Sequence, residues 1–110
     1  MTYDILVLDL DGTLTNSEKK ITPPTREALI EIQQNGKKVV LASGRPTPGI
    51  IPLAKELCLG DYGSYILSFN GGKIINCSTG EAICNKRLPS EVTSTVYEIA
   101  NQYDVDLLTY

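Results

Sequence analysis

Histidine and tryptophan are absent from the 110 residues, and cysteine occurs only three times. Without histidine, these residues cannot form a Ser-His-Asp triad, a histidine nucleophile or a histidine-ligated zinc site. Cys58, Cys77 and Cys84 are odd in number and lack C-x-x-C spacing, which argues against a disulfide framework. A bridge between Cys77 and Cys84 across a hairpin stays open, but reduced thiols are the expectation for a cytoplasmic protein. Acid–base chemistry must therefore come from carboxylates or lysine.

Long apolar runs and an excess of one charge are also missing. The formal net charge is −3, and lysine and arginine are scattered along the chain, so no nucleic-acid surface is indicated. No run approaches the length of a membrane span, and the first residues lack the pattern of a signal peptide. We therefore expect one small cytoplasmic domain with no membrane partner.

The most informative segment is an apolar run that ends in two carboxylates. Ile5 to Leu8 is uninterrupted and is followed by Asp9-Leu10-Asp11-Gly12-Thr13-Leu14. The run predicts a fully buried parallel strand, and ligands bind beyond the carboxyl ends of such strands. Side chains two apart on an extended chain point the same way, so Asp9 and Asp11 are expected to face one centre.

This segment has two other interpretations, an EF-hand loop and an ordinary turn. An EF-hand loop also begins Asp-x-Asp, but its sixth position is glycine where this chain has Leu14, and a helix precedes it where this chain has a strand. An ordinary turn of aspartate and glycine is the second alternative. Two carboxylates so close to a strand end repel one another, and a simple turn does not need both. The pattern therefore favours a chemical site.

The remaining sequence predicts alternating strands and helices. Strands are expected over 37–42 and 66–69, ending in Ser43-Gly44-Arg45-Pro46 and in Asn70-Gly71-Gly72. The other predicted elements are a helix from 23 to about 35, a helix over 48–58 with Pro52 inside it, a hairpin of 73–77 with 82–88, a helix opening at 89–90, and a strand starting at 106. This order predicts an α/β fold with a right-handed crossover.

The three polar strand ends together carry a family resemblance. Asp9 to Thr13 resembles motif I of the haloacid dehalogenase-like hydrolases, and Ser43-Gly44-Arg45-Pro46 with Asn70-Gly71 is similar to their Cof-type sugar-phosphate phosphatases. The resemblance implies a Rossmann-like parallel sheet, with residues 1–72 as the N-terminal part of the core and 73–110 as the beginning of an α/β cap. It also implies a Mg²⁺-dependent phosphatase that acts on sugar phosphates through an aspartyl phosphate.

The same resemblance implies a role for each residue of the acidic loop. Asp9 is the expected nucleophile, and Asp11 is the expected general acid and base, for which it needs a raised pKa. Mg²⁺ is expected on the carboxylate of Asp9 and the backbone carbonyl of Asp11. The amides of Leu10 and Asp11 are expected to hold phosphoryl oxygens as a small anion nest.

Four further residues have implied roles with open alternatives. The Ser43 hydroxyl and Gly44 amide are expected to bind phosphate, although this pair also suits a helix N-cap. Arg45 is expected at the substrate or at a cap contact, or else in an exposed ion pair. Asn70 and Gly71 are expected at the pocket mouth, although Asn-Gly is also an ordinary turn. The four lysines at 19, 20, 37 and 38 are interpreted as solvated surface.

The chain also departs from the family pattern. It ends at Tyr110, within a predicted strand, without the motif III lysine, the motif IV carboxylates or most of the cap. It therefore resembles the N-terminal part of a longer enzyme. The alternative is an inactive fragment that only binds phosphate, or a protein partner or second copy through an uncovered sheet edge.

Overall fold

The computed structural model describes residues 2–110, and its centre is a five-stranded sheet in the order β1-β2-β3-β4-β5. Strands β1 (Ile5–Leu8), β2 (Lys38–Ala42) and β3 (Tyr65–Ser68) are parallel, whereas β4 (Lys73–Asn76) and β5 (Ala82–Asn85) are antiparallel to their neighbours. The register pairs Leu8 with Leu41 and Ala42 with Leu67, which brings three carboxyl ends to one edge. The α/β prediction is confirmed.

Helix α1 (Pro23–Gln34) makes the crossover between β1 and β2. Its first turn contains two prolines, and the Thr22 hydroxyl donates to the hydroxyl of Thr25 at 3.0 Å and makes no capping bond with a backbone amide. Gly36 ends the helix with φ +86°, and the amides of Gly36 and Lys37 donate to the carbonyls of Gln33 and Ile32. This Schellman arrangement turns the chain directly into β2.

The helix predicted over 48–58 is wrong in its extent. The structure has a 3₁₀ turn at Thr47–Gly49 and a separate short helix α2 at Ile51–Glu56. Pro52 lies in the first turn of α2, where its missing N–H leaves no helical bond unmade, and a longer helix would have placed it in the interior. Cys58 adopts φ 57° and stops the helix two residues after Glu56.

A buried polar network ties α1 to the sheet and to the end of α2. Gln33 is 2% exposed, and its Nε2 donates to the carbonyls of Leu29 at 3.2 Å and Leu57 at 2.8 Å. Its Oε1 accepts from Ser64 Oγ at 2.8 Å, and that hydroxyl accepts from the Val39 amide at 3.1 Å. Every member is satisfied, so the network orders the core without the cost of an unpaired polar group.

Strand β1 is not fully buried, which contradicts the sequence prediction. Ile5 and Val7 are 59% and 58% exposed, because β1 is an edge strand and nothing among residues 2–110 covers the face that carries these two side chains. An apolar run predicts burial but cannot tell which part of a protein covers it. Only the end of the run and the loop beyond it, from Leu8 to Leu10, approach the core.

The C-terminal elements are also largely uncovered. Helix α3 (Ser90–Ala100) forms where it was predicted, but none of its residues is buried. The strand predicted from Asp106 to Tyr110 is wrong, because these residues pair with no strand in the part of the chain that the structure describes. The hairpin of β4 and β5 extends the sheet from β3. The division into a core part before residue 73 and a cap part after Gly72 stays a prediction.

The composition predicted reduced thiols and no membrane span. Cys58, Cys77 and Cys84 are all free thiols, and burial raises the pKa of the Cys77 thiol. Within residues 2–110, no helix is both long and apolar enough to span a bilayer.

Candidate active site

The loop after β1 is shaped by one buried leucine. Leu10 has no exposed surface, and its carbonyl accepts hydrogen bonds from the amides of Thr13, Leu14 and Thr15 at 3.0–3.1 Å. Gly12, at φ +81°, makes the turn that this convergence requires. Because the Leu10 side chain points into the core, the exposed carboxylates on either side of it project from the edge of the sheet.

A cavity of about 310 Å³ opens at the carboxyl ends of β1, β2 and β3. We call it the Asp9 cavity, and it is lined by Asp9, Ala42, Ser43, Gly44, Leu67, Asn70 and Gly71. Five of these seven residues were predicted as site residues. The Thr13 hydroxyl lies 3.4 Å from Oδ2 of Asp9 and restrains the carboxylate from its own loop.

The loop after β2 gives the Asp9 cavity its second side. The Ser43 amide donates to the Leu67 carbonyl at 3.0 Å, and the Ser43 hydroxyl accepts from the Arg45 amide at 3.1 Å. This bond closes a local turn, and α2 begins only at Ile51, so Ser43 does not cap that helix. The alternative of a helix N-cap at Ser43-Gly44 is therefore wrong.

Asn70 and Gly71 form the third side within a strained segment. Phe69, Asn70 and Gly71 have φ angles of 52°, 54° and 89°, a left-handed region that a bulky residue such as phenylalanine rarely adopts. The Phe69 amide donates to the Arg45 carbonyl at 3.0 Å, and the Asn70 amide donates to the Ser43 carbonyl at 3.1 Å. These two bonds hold the strained segment against the loop after β2.

Gly44 is required where the two loops meet. A Cβ atom at this position would lie 3.0 Å from Oδ1 of Asn70. A side chain there would push the Asn70 carboxamide aside, so glycine permits the close approach of the two loops. Asn-Gly at 70–71 is thus a turn and also part of the cavity wall.

Asp11 is held by Arg45 on the outer side of the loop. The Arg45 guanidinium donates to Asp11 from Nε at 3.0 Å and from Nη2, and its Nη1 donates to the Gly49 carbonyl at 3.1 Å. This hydrogen bonding is the largest cause of the lowered pKa of Asp11; desolvation opposes it, and the charges of Arg45 and Lys19 add to it. The expectation that Asp11 has a raised pKa is wrong for this arrangement, because Arg45 stabilises the ionised form.

A second cavity, of about 430 Å³, lies on the Asp11 side of the loop. We call it the Lys19 cavity, and it is lined by Asp11, Gly12, Thr15, Asn16, Ser17 and Lys19. Asp9 and Asp11 therefore line different cavities of one loop, where the sequence predicted one shared centre. Lys19 was interpreted as solvated surface, and apart from Asp11 no site role was predicted for the other residues of this cavity, although their position directly after the acidic motif was an available signal.

The oxygen atoms near Asp9 suit a hard divalent cation. Among residues 2–110, no cluster of three or more histidine, cysteine or acidic side chains is placed to hold a metal. The carbonyls of Asp9 and Leu10 accept backbone hydrogen bonds in this loop, whereas the carbonyl of Asp11 accepts none of them. A carboxylate from Asp9 and a carbonyl from Asp11 fit Mg²⁺, which keeps several waters and needs few protein ligands.

The fold and the site together define the class of protein. A sheet whose first three strands are parallel, with an Asp-x-Asp loop after the first and a Ser-Gly turn after the second, is the arrangement that the family resemblance implied. A profile of the haloacid dehalogenase-like hydrolases matches residues 6–110. The chain belongs to this family, as the three motifs indicated.

Solved and curated relatives agree with that assignment. The chain is 53% identical to a haloacid dehalogenase-like hydrolase from Bacteroides thetaiotaomicron, with a TM-score of 0.87 over 92% of this chain and 38% of that one. It is 37% identical to a Streptococcus pyogenes protein named "Putative phosphatase" over 76% of this chain and 31% of that protein. It is 28% identical to the 5-amino-6-(5-phospho-D-ribitylamino)uracil phosphatase of Bacillus subtilis over 93% of this chain and 39% of that enzyme. The chain thus spans less than half of each relative.

Proposed function

We propose that the protein to which these residues belong is a Mg²⁺-dependent phosphatase that acts on sugar phosphates or similar small phosphorylated metabolites through an aspartyl phosphate. The observation that carries the proposal is the Asp9 cavity, in which a carboxylate opens onto a hydroxyl and a glycine turn at three adjacent strand ends. Relatives named as phosphatases support the class of reaction.

Asp9 is the proposed nucleophile. Its carboxylate attacks phosphorus, the bond from phosphorus to the ester oxygen breaks, and water later cleaves the aspartyl phosphate to release inorganic phosphate. The phosphoryl oxygens are held by the Ser43 hydroxyl and the Gly44 amide, with the Leu10 and Asp11 amides on the opposite side. Neither of these last two amides donates to the backbone bonds that fold the loop, which leaves them available for an anion.

Mg²⁺ is the proposed cofactor, held by the Asp9 carboxylate and the Asp11 carbonyl. When bound, it neutralises the repulsion between the anionic nucleophile and the phosphate ester. Apart from Asp9, the six residues that line the Asp9 cavity carry no charge. The positive charge that neutralises Asp9 must therefore come from a bound cation or from parts of the protein beyond the described residues.

Asp11 is the proposed acid for the leaving oxygen and the base for the hydrolytic water. Arg45 lowers the pKa of Asp11 in this structure, so proton donation requires the guanidinium to leave the carboxylate. An incoming phosphate ester offers Arg45 a competing bidentate partner. We therefore assign Arg45 to the substrate side of the site, with Asn70 and Gly71 holding the cavity wall opposite Asp9.

The cytoplasm is the proposed compartment. Three free thiols at Cys58, Cys77 and Cys84 suit a reducing environment.

Chelation tests the proposed cofactor in the full-length gene product. Hydrolysis of p-nitrophenyl phosphate is expected to stop in excess EDTA and to return when Mg²⁺ is added beyond the chelator. Calcium serves as the control ion and should not restore turnover, because it takes longer bonds and more ligands than Mg²⁺. Turnover that persists in EDTA would remove Mg²⁺ from the account, and absence of turnover with Mg²⁺ would favour a protein that only binds.

A further inference from the structure

The Lys19 cavity lies beside the proposed acid and is not used by the steps above. It opens on the Asp11 side of the loop, whereas the Asp9 cavity holds the proposed phosphoryl position. An acid that protonates a leaving oxygen must lie within hydrogen-bond reach of it. The atoms attached to that oxygen therefore extend toward the cavity that Asp11 lines.

Hydrogen-bond donors dominate the wall of this cavity. Of its lining residues, Lys19 carries an ammonium group, Ser17 a hydroxyl, and Asn16 a carboxamide. The one acidic side chain in the wall is Asp11, and it is already paired with Arg45. An anionic group in the cavity would therefore meet the Lys19 cation and neutral donors. The negative charge of Asp11, which would repel it, is already neutralised by Arg45.

The loop that carries Lys19 is held in an uncommon conformation. Lys19 has φ 60°, and a non-glycine residue rarely adopts this left-handed conformation. Oδ1 of Asn16 accepts from the amides of Glu18 at 3.0 Å and Lys20 at 3.1 Å, and the Asn16 amide donates to the Lys20 carbonyl at 3.0 Å. These bonds fix the loop and leave the Nδ2 group of Asn16 available as a donor.

We propose that the Lys19 cavity is a subsite for a carboxylate on the leaving group, so that the preferred substrates are phosphate monoesters of hydroxy acids. Lys19 binds the carboxylate, and Asn16 and Ser17 donate hydrogen bonds to its oxygens. The inference rests on the proposed phosphatase function and narrows its substrate class. Arginine at position 19 would preserve the interaction, whereas an uncharged residue would not.

Matched substrate pairs test this subsite in the full-length gene product. The pairs are 3-phosphoglycerate with glycerol 3-phosphate, and 2-phosphoglycerate with glycerol 2-phosphate, which differ mainly by one carboxylate. The wild-type protein is expected to have the higher kcat/KM for the carboxylated member. Lys19→Gln is expected to lower the ratio of the two kcat/KM values roughly fivefold to tenfold, because it removes one charge-assisted interaction.

Lys19→Arg and Lys20→Gln are the matched variants. Lys19→Arg should retain the wild-type ratio, and Lys20→Gln should leave it unchanged, since Lys20 is exposed and does not line the cavity. An unchanged ratio in Lys19→Gln, or an equal fall in Lys20→Gln, would overturn the subsite.

A binding measurement separates this inference from the proposed function. Amide signals of Gly12, Asn16 and Ser17 are followed by NMR while 3-phosphoglycerate or glycerol 3-phosphate is added. Saturable shifts with the first ligand that weaken in Lys19→Gln would support the subsite even if neither ester is hydrolysed. Equal shifts with both ligands, or none with either, would contradict it.

Discussion

The Arg45 guanidinium and the Asp11 carboxylate join the loops after β1 and β2 through two hydrogen bonds, from Nε at 3.0 Å and from Nη2. Arg45 also donates to the Gly49 carbonyl at 3.1 Å, so its position is fixed from both sides. This ion pair links the two segments that were predicted to form the site, although they are 34 residues apart. It also lowers the pKa of the proposed acid.

Replacing Arg45 with methionine is expected to raise the pKa of Asp11 toward its ordinary value. The hydrogen bond from Arg45 is the largest cause of the lowered pKa, so removing it removes most of the stabilisation of the ionised form. The side-chain carboxyl ¹³C signal of Asp11, followed by NMR across the acidic range, measures this change. Arg26→Met is the control, because Arg26 pairs with Glu56 far from the site. An Asp11 titration identical to wild type in Arg45→Met would contradict the account.

The same pKa shift should make the free energy of unfolding of the wild-type protein, relative to that of Arg45→Met, depend on pH. A lowered pKa in the folded state means that the ion pair stabilises the protein above the ordinary pKa of aspartate, about 3.9, and loses that effect as pH falls through the folded-state value. The wild-type protein should therefore be the more stable form at neutral pH, and the difference from Arg45→Met should narrow in acid. Urea unfolding at several pH values tests the trend, and a difference that grows in acid would refute it.

Gly44→Ala is expected to destabilise the junction between the two loops by about 1–3 kcal/mol, as overpacked sites do. The new Cβ would lie 3.0 Å from Oδ1 of Asn70. Asn70→Gly removes the opposing carboxamide and tolerates the positive φ, so the double variant should recover part of the loss. Free energies of unfolding for the four proteins form the cycle. Strictly additive effects would show that the two residues do not interact.

Ser64→Ala should destabilise the fold by about 1–3 kcal/mol, because it leaves two buried groups without their partner. These groups are the Gln33 carboxamide oxygen and the Val39 amide. The midpoint of urea unfolding measures the effect. Ser94→Ala on the exposed face of α3 is the matched control and should change stability by a few tenths of a kcal/mol at most. Equal effects of the two substitutions would show that the network contributes nothing specific.

The 110-residue chain is expected to self-associate through β1. This strand is an edge of the sheet among the described residues, and Ile5 and Val7 are both more than half exposed. Exposed apolar edge strands pair with other chains. Val7→Lys should reduce the mass measured by light scattering, whereas Val105→Lys, at an equally exposed residue outside the sheet, should not. A monomer at all concentrations would contradict this expectation.

The sequence predicted the elements whose signals are local. An apolar run, Pro23 at the start of a helix and Gly36 at its end determine β1 and α1 through their own backbone preferences. The burial of β1 and the pairing of 106–110 could not be predicted in the same way, because both depend on what lies beside them. Pro52 was placed inside the predicted helix over 48–58, but only the fold shows that a new helix starts at Ile51.

Most residues that line the Asp9 cavity were predicted as site residues, but the pairing of Asp11 with Arg45 beside it was not. Asp9, Ser43, Gly44, Asn70 and Gly71 line one cavity because parallel strands bring their carboxyl ends to one edge. The pairing of Asp11 with Arg45 depends on the direction of two side chains, which spacing along the chain does not specify. The pKa of Asp11 was predicted to be raised, and it is lowered because of that pairing.

Turnover by Asp9→Asn in the full-length gene product tests the central claim most directly. The assay is release of phosphate from p-nitrophenyl phosphate with Mg²⁺, and Asp61→Asn is the matched control, since Asp61 does not line either cavity. We expect Asp9→Asn to lose at least about 10³-fold in kcat with its unfolding midpoint little changed, while Asp61→Asn retains wild-type turnover. Comparable turnover by Asp9→Asn and wild type would contradict the assignment of Asp9 as nucleophile.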